Sequence, residues 1–183
     1  MKRLRSKSKV HTEDKTFLYS DDMLSDAVDA VLGSVKINRK FDVPYVAGYN
    51  TKGTIVYIDK DVPKYHRFNG KKYLLDKYLV VHEVVEKILE EQIHDVNYFY
   101  AHQIALRIEQ DVVEADGLDW KEYDDFMQTL IKEVDIQKIQ KVPPDLDLQP
   151  YKDSKDFALI EHMKKHMVEE SVADMVFLST LLT

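Results

Sequence analysis

Leu79-Val80-Val81-His82-Glu83-Val84-Val85-Glu86-Lys87-Ile88-Leu89 is the stretch around which the chain is organised. It reads as a helix carrying the pattern H-E-x-x-E. At about 100° per residue, His82 and Glu86 project from one side of that helix, about 40° apart. Leu75, Leu79 and Leu89 flank them in an apolar sector, whereas Lys77, Lys87 and Glu91 cluster toward the opposite side. A bare imidazole and carboxylate among leucines are costly unless something pairs with them. A divalent cation would do so, because side chains four residues apart on a helix can converge on one ion.

A second anchor follows in Tyr98-Phe99-Tyr100-Ala101-His102-Gln103-Ile104-Ala105-Leu106-Arg107-Ile108-Glu109. On a helical wheel His102 and Glu109 fall about 20° apart, on a stripe shared with Tyr98, Ala105 and Val113. Two consecutive helices thus each direct a His and a Glu toward their buried faces. His82, Glu86 and His102 together supply two imidazoles and one carboxylate, a ligand set used by catalytic zinc. Glu83 sits at the edge of the sector, placed to act on a metal-bound water. Glu109 is either a fourth ligand or an acceptor that orients a ligand imidazole. The second is favoured, because a catalytic zinc keeps one position open.

Composition narrows the alternatives. A chain of 183 residues suits one domain with a small appendage, and 44% hydrophobic residues suffice for a core. No run approaches the roughly 20 apolar residues that span a membrane. The absence of cysteine removes disulfides, thiolate zinc sites and cysteine nucleophiles, and fits a cytoplasmic protein. Any metal must therefore be held by His and carboxylates. Lys2, Arg3, Arg5, Lys7 and Lys9 place five positive charges in the first ten residues. Taking these from the net charge of −7 leaves the remainder near −12, which disfavours a nucleic-acid-binding body. The tail, residues 1–15, is expected to be a disordered basic end with at most weak contacts to phosphates or an acidic partner.

Between tail and motif, a helix is expected from Ser20-Asp21-Asp22 to Gly33. Residues 41–49 and 54–59 read as a β-hairpin closed by Asn50-Thr51-Lys52-Gly53, with the second strand covered on both faces. Asp61 to Gly70 reads as a connecting loop, and the motif helix as running from about Lys72 to Ile93. The next helix spans Tyr98 to Ala115 and stops at Gly117. Asp119 is then the cap of a third helix bearing Trp120, Tyr123, Phe126, Leu130 and Ile131. Residues 143–150 form a proline-rich linker between a metal-binding domain over 16–142 and a C-terminal helical segment over 151–183. In that segment Phe157, Ile160, Met163, Val172, Val176 and Leu181 need a surface to cover.

Other candidates are weaker. His162 and His166 are also four apart, but Lys164 and Lys165 lie between them, and both read as surface. Glu91-x-x-His94 is half of a di-iron carboxylate motif, which needs a second copy and two further Glu. Tyr98, Tyr100 and Tyr123 are placed either to assist an oxyanion or to fill the core. There is no glycine-rich phosphate loop and no G-x-S-x-G elbow.

The order hairpin, metal-motif helix, turn and second helix resembles the zincin metallopeptidases, particularly the gluzincins. There a strand precedes the H-E-x-x-H helix and the next helix supplies the third ligand. Phe41 to about Phe126 also resembles a group of bacterial and phage proteins sharing H-E-[IV]-V-E-K and A-H-Q-I-A, here His82–Lys87 and Ala101–Ala105. No activity carries over from that group. Gluzincins have His where this chain has Glu86 and Glu where it has His102, so the ligand types are exchanged and their total is kept.

The expected fold is α+β and zincin-like, a small sheet packed on the metal-motif helix with additional helices. The expected function is zinc-dependent hydrolysis of a peptide or protein substrate, with Fe²⁺ or Mn²⁺ as alternative ions and Glu83 as general base. The zincin resemblance implies that Thr54–Ile58 pairs with an extended substrate. The alternative is a non-catalytic interaction protein, such as a phage or mobile-element accessory factor, with a structural metal or a buried polar cluster.

Overall fold

The computed structural model describes residues 15–92, 98–132 and 138–167. Helix α1 (Lys15–Ser34) leads into strands β1 (Lys36–Asn38), β2 (Ala47–Tyr49) and β3 (Ile55–Ile58). A second hairpin, β4 (Tyr65–Phe68) and β5 (Lys71–Leu74), runs directly into α2 (Leu75–Gln92). Then come α3 (Tyr98–Ala115), α4 (Trp120–Lys132), the short α5 (Gln149–Asp153) and α6 (Phe157–His166). The architecture is α+β.

The expected hairpin is formed by β2 and β3, antiparallel with Ala47 opposite Ile58 and Tyr49 opposite Val56. Its loop is held by buried Asn50, whose Oδ1 accepts from the backbone N–H of Thr54 and Ile55 at 2.8 and 3.0 Å. The sheet order is β1-β3-β2, with β1 parallel to β3. That corrects the substrate-pairing expectation: Thr54–Ile58 contributes the central strand, whose ladder groups are taken on both sides, and β2 is an edge. Both faces of β3 are covered as expected, since Val56, Tyr57 and Ile58 are all buried.

Asp61 to Gly70 is not simply a loop. Residues 65–68 pair with 71–74 around the Asn69-Gly70 turn, so the motif helix starts at Leu75 rather than Lys72. Likewise α1 begins at Lys15, ahead of Ser20-Asp21-Asp22, and runs one residue past Gly33. Helix α3 ends as read. Gly117 adopts a φ of +80°, and the N–H groups of Gly117 and Leu118 bond to the carbonyls of Glu114 and Val113. This pair of reversed bonds is a Schellman stop, which requires a left-handed residue at its turn. Asp119 then caps α4, accepting from the N–H of Glu122 at 3.0 Å.

Two buried clusters meet at the sheet. The first joins Val56 and Ile58 to α2, α3 and α4 through Leu75, Tyr78, Leu79, Val112, Val113, Tyr123 and their neighbours. The second joins Phe41, Val43 and Tyr57 to Ile139, Val142, Leu146, Tyr151, Leu159, Ile160 and Met163. Residues 143–150 are therefore not a free spacer. Leu146 bridges to Asn50, Asp145 accepts the Tyr57 hydroxyl at 2.6 Å, and the Asp147 N–H bonds to the Tyr49 carbonyl at 2.9 Å. The prolines shape a segment that is pinned by polar contacts on the open side of the hairpin. His162 and His166 are half-buried and bonded to the carbonyls of Ile139 and His162, rather than free on the surface. The basic tail up to residue 14, His94, Val172, Val176 and Leu181 lie outside the described residues.

Tyr45 and Val46 turn the chain into β2 with φ of +63° and +72°, a region that a β-branched residue rarely enters. Burial of Val46 and stacking of Tyr45 on Tyr151, ring centroids 5.2 Å apart, hold them there.

Because both clusters share β3, they are expected to unfold together. Met163→Ala removes a fully buried side chain from the second cluster and should cost about 2–5 kcal/mol. Urea unfolding should show one transition at lower midpoint, and two separated transitions would mean that the clusters are independent.

Candidate metal centre

Helices α2 and α3 pack side by side and bring together the residues singled out in the sequence. His82, Glu86 and Glu109 are buried, whereas the His102 side chain is 37% exposed. His102 therefore stands at the mouth of the group rather than within the core. His82 Nδ1 lies 2.9 Å from Glu109 Oε2. The other carboxylate oxygen, Glu109 Oε1, accepts the Tyr123 hydroxyl at 2.5 Å. With both its oxygens engaged, Glu109 is an acceptor behind the group and fixes the proton of His82 on Nδ1.

That assignment directs His82 Nε2 to the other side, where it meets His102 Nδ1 at 3.2 Å and Glu86 Oε2 at 3.5 Å. Glu86 Oε2 and His102 Nδ1 are 2.9 Å apart. The three atoms outline a small triangle. A tetrahedral ion with bonds of about 2.0–2.2 Å separates its ligands by about 3.4 Å, so this donor set fits a zinc-sized cation after shifts of a few tenths of an ångström. Among the described residues no other group of three His, Asp or Glu side chains is so placed.

The electrostatics agree with a site built for positive charge. Burial alone would pull the His82 pKa down, but hydrogen bonds to Glu109 and Glu86 outweigh it and hold the imidazole well above its usual 6.5. Burial likewise would raise Glu86, yet the hydrogen bonds from His102 and His82 keep it below the usual carboxylate value. Glu83 behaves oppositely: burial, then the neighbouring Glu86 charge, push its carboxyl up to about 8. Among the described residues nothing hydrogen-bonds to Glu83.

The group opens into a cavity of about 160 Å³. One wall comes from α2, α3 and α4, including Glu83, Tyr98, Trp120 and Asp124. The other comes from residues 45–49, Asp147, Pro150 and Tyr151. Tyr98 packs against the His102 ring at 5.6 Å and Tyr123 supports Glu109, so both of these tyrosines belong to the site; Tyr100 is exposed. The second wall was not foreseen, since no local pattern connects Tyr45 or Tyr49 with Asp147 and Tyr151. Tyr49 also donates to Glu90 Oε2 at 2.7 Å, leaving Glu90 Oε1 buried without a partner.

Comparison with known proteins finds no family model, no curated protein and no solved structure that matches the chain.

The raised pKa of His82 sets a pH dependence for chelator-treated protein. Stabilisation from its imidazolium is fully present below the unfolded value of about 6.5 and is lost as pH rises through the higher folded value. Denaturant unfolding should therefore show a fall in stability above about pH 6.5 from His82, added to the fall that Glu83, raised from 4.5 to about 8, contributes between those two values. His82→Gln should flatten that slope, and an unchanged slope would remove His82 as its source.

Proposed function

We propose that the protein is a metal-dependent hydrolase of peptide or related amide bonds with a zincin-like arrangement. The observation that carries this reading is the triangle of His82, Glu86 and His102 atoms, backed by Glu109 and opening on a cavity. Zinc is the preferred ion, with Fe²⁺ or Mn²⁺ as alternatives that a carboxylate ligand also admits. When bound there, such an ion supplies Lewis acidity and lowers the pKa of a coordinated water to about 7. The sheet packed against α2 and the third ligand on α3 support the zincin comparison; the exchanged positions of Glu86 and His102 distinguish this chain within it.

The chain's own groups supply the rest. Glu83 follows His82 directly, lines the cavity and makes no hydrogen bond; a cation held by its neighbours would offset the burial that raises its carboxyl and favour the ionised form, which is placed to accept a proton from the attacking water. As the C–N bond breaks, Glu83 returns that proton to the leaving amine, and water is added across the amide with no other reactant. The edge strand β2 borders the cavity. The Val46 carbonyl and the Asn50 N–H bond to β3, so antiparallel alternation turns the Ala47 backbone groups outward. Tyr49 O is already taken by Asp147, which limits substrate pairing to the vicinity of Ala47.

A second reading has its own support. Glu109 is satisfied by His82 and Tyr123, and Glu86 by both imidazoles, so the group is also a self-contained polar cluster suited to a non-catalytic interaction protein.

Two measurements separate the readings. Protein purified without chelator should carry about one transition-metal ion per chain, zinc foremost; elemental analysis of metal-replete protein without bound metal would sink the hydrolase. Once a cleaved peptide is found by library screening, Glu83→Gln should keep metal, fold and melting temperature while lowering hydrolysis by about 10²-fold or more. His102→Ala should instead lose metal affinity and metal-dependent stability together. Equal cleavage by Glu83→Gln and wild type would show that Glu83 is not the base.

A further inference from the structure

We propose that the Ala47 edge of β2 is a docking site for the amino-terminal end of an extended peptide, which pairs through its second residue and stops one residue further on. The Val46 carbonyl accepts from the Asp59 N–H and the Asn50 N–H donates to the Ile55 carbonyl. Antiparallel alternation in that register turns Val46, Gly48 and Asn50 toward β3. The N–H and C=O of Ala47 therefore point away from the sheet, along the cavity that Ala47 lines. Neither has a partner among the described residues, although Ala47 is only 6% exposed. Buried backbone groups left unpaired are costly, and an added strand supplies an acceptor and a donor at this spacing.

One end of the edge is closed. Residues 145–147 occupy it beside Asn50, where the Asp147 N–H bonds to the Tyr49 carbonyl and the Thr51 N–H to the Asp145 carbonyl in an antiparallel bridge. A peptide paired with Ala47 has room for one residue opposite Gly48 before it meets Asp147. The other end is open, since Tyr45 is 37% exposed and Tyr49 is 2% exposed. The segment already on this edge runs antiparallel to β2, and a peptide in the same direction has its amino end at Asp147. Its second residue then exchanges both hydrogen bonds with Ala47. The reverse direction would place a carboxyl end there, and no lysine or arginine among the described residues lines the cavity. Near pH 7.5 a terminal amine can lose its charge for less than about one pKa unit, whereas a terminal carboxyl would need about four. The site rests on the proposed function only where the docked peptide is called a substrate, and the hydrolase would then trim peptides from their amino ends.

Calorimetry on chelator-treated protein measures docking apart from turnover, with tetra-alanine amide as the probe. A polyethylene glycol chain on the amino end of the probe should weaken binding by about tenfold or more, and the same chain on the carboxyl end by less than about twofold. N-methylation of residue 2 removes the N–H that meets the Ala47 carbonyl. It should weaken binding about two- to tenfold, the scale of one hydrogen bond. N-methylation of residue 3, whose N–H faces away from β2, should have less effect. Equal weakening by the two polymer positions, greater weakening from the carboxyl end, or no detectable binding of the unmodified probe overturns the proposal. Failure of zinc to bind would count against the hydrolase, while the calorimetry still decides which end of a peptide docks.

Discussion

The hydrogen bond between His82 and Glu109, backed by the hydroxyl of Tyr123, is the constraint on which the site depends. It ties α2, α3 and α4 together through groups that are all buried. Removing one member would strand a charge or a polar atom inside the helix packing, a loss on the scale of 3–5 kcal/mol for a broken buried ion pair. The same bond fixes which nitrogen of His82 carries the proton, and so aims the other nitrogen at Glu86 and His102. The packing of these three helices and the orientation of the site thus share one contact. The Schellman stop at Gly117 and the Asp119 cap matter for the same reason, since they set the turn that swings Tyr123 onto Glu109.

The sheet contributes differently. β3 is enclosed by β1 and β2, and its two faces feed two buried clusters. On one side it supports the ligand-bearing helices. On the other it anchors residues 139–163, which return across the chain to place Asp147 and Tyr151 opposite Glu83. The cavity is therefore a seam between a helical wall and a wall of loops pinned to a strand edge.

Much of the first wall was legible in the sequence. Helical periodicity placed His82, Glu86, His102 and Glu109 on inward faces, and Gly117 and Asp119 marked a stop and a cap at their true positions. The hairpin of β2 and β3 was visible because its turn residues and apolar strands are contiguous. What escaped was mostly non-local. β1 is three residues long, with Lys36 and Ile37 exposed, and its parallel partner lies beyond the next strand, so no alternation announces it. β4 and β5 alternate weakly and carry charges on exposed positions, which hid a hairpin inside an apparent loop. The proline-rich stretch read as a spacer because composition records what a segment avoids, not that Asp145 and Leu146 find partners near Asn50. His102 shows a limit of the wheel itself: periodicity gives a direction but not a depth.

The pinning of the second cluster also orders events in time. Asp42 accepts from the backbone N–H groups of Gln140 and Lys141, Tyr151 donates to the Pro44 carbonyl, and Tyr45 to Asp156. Each contact closes a loop of roughly a hundred residues, and such closures are slow because chain entropy is lost before the contact forms. During synthesis α2 and α3 leave the ribosome well before residues 139–163. Until those residues emerge, Phe41, Val43 and Tyr57 have no cover, and the nascent chain carries an apolar strip beside helices that are already able to pair. Residues 139–163 thus act as a closing strap, and the interval before they arrive is when this protein is most exposed to aggregation.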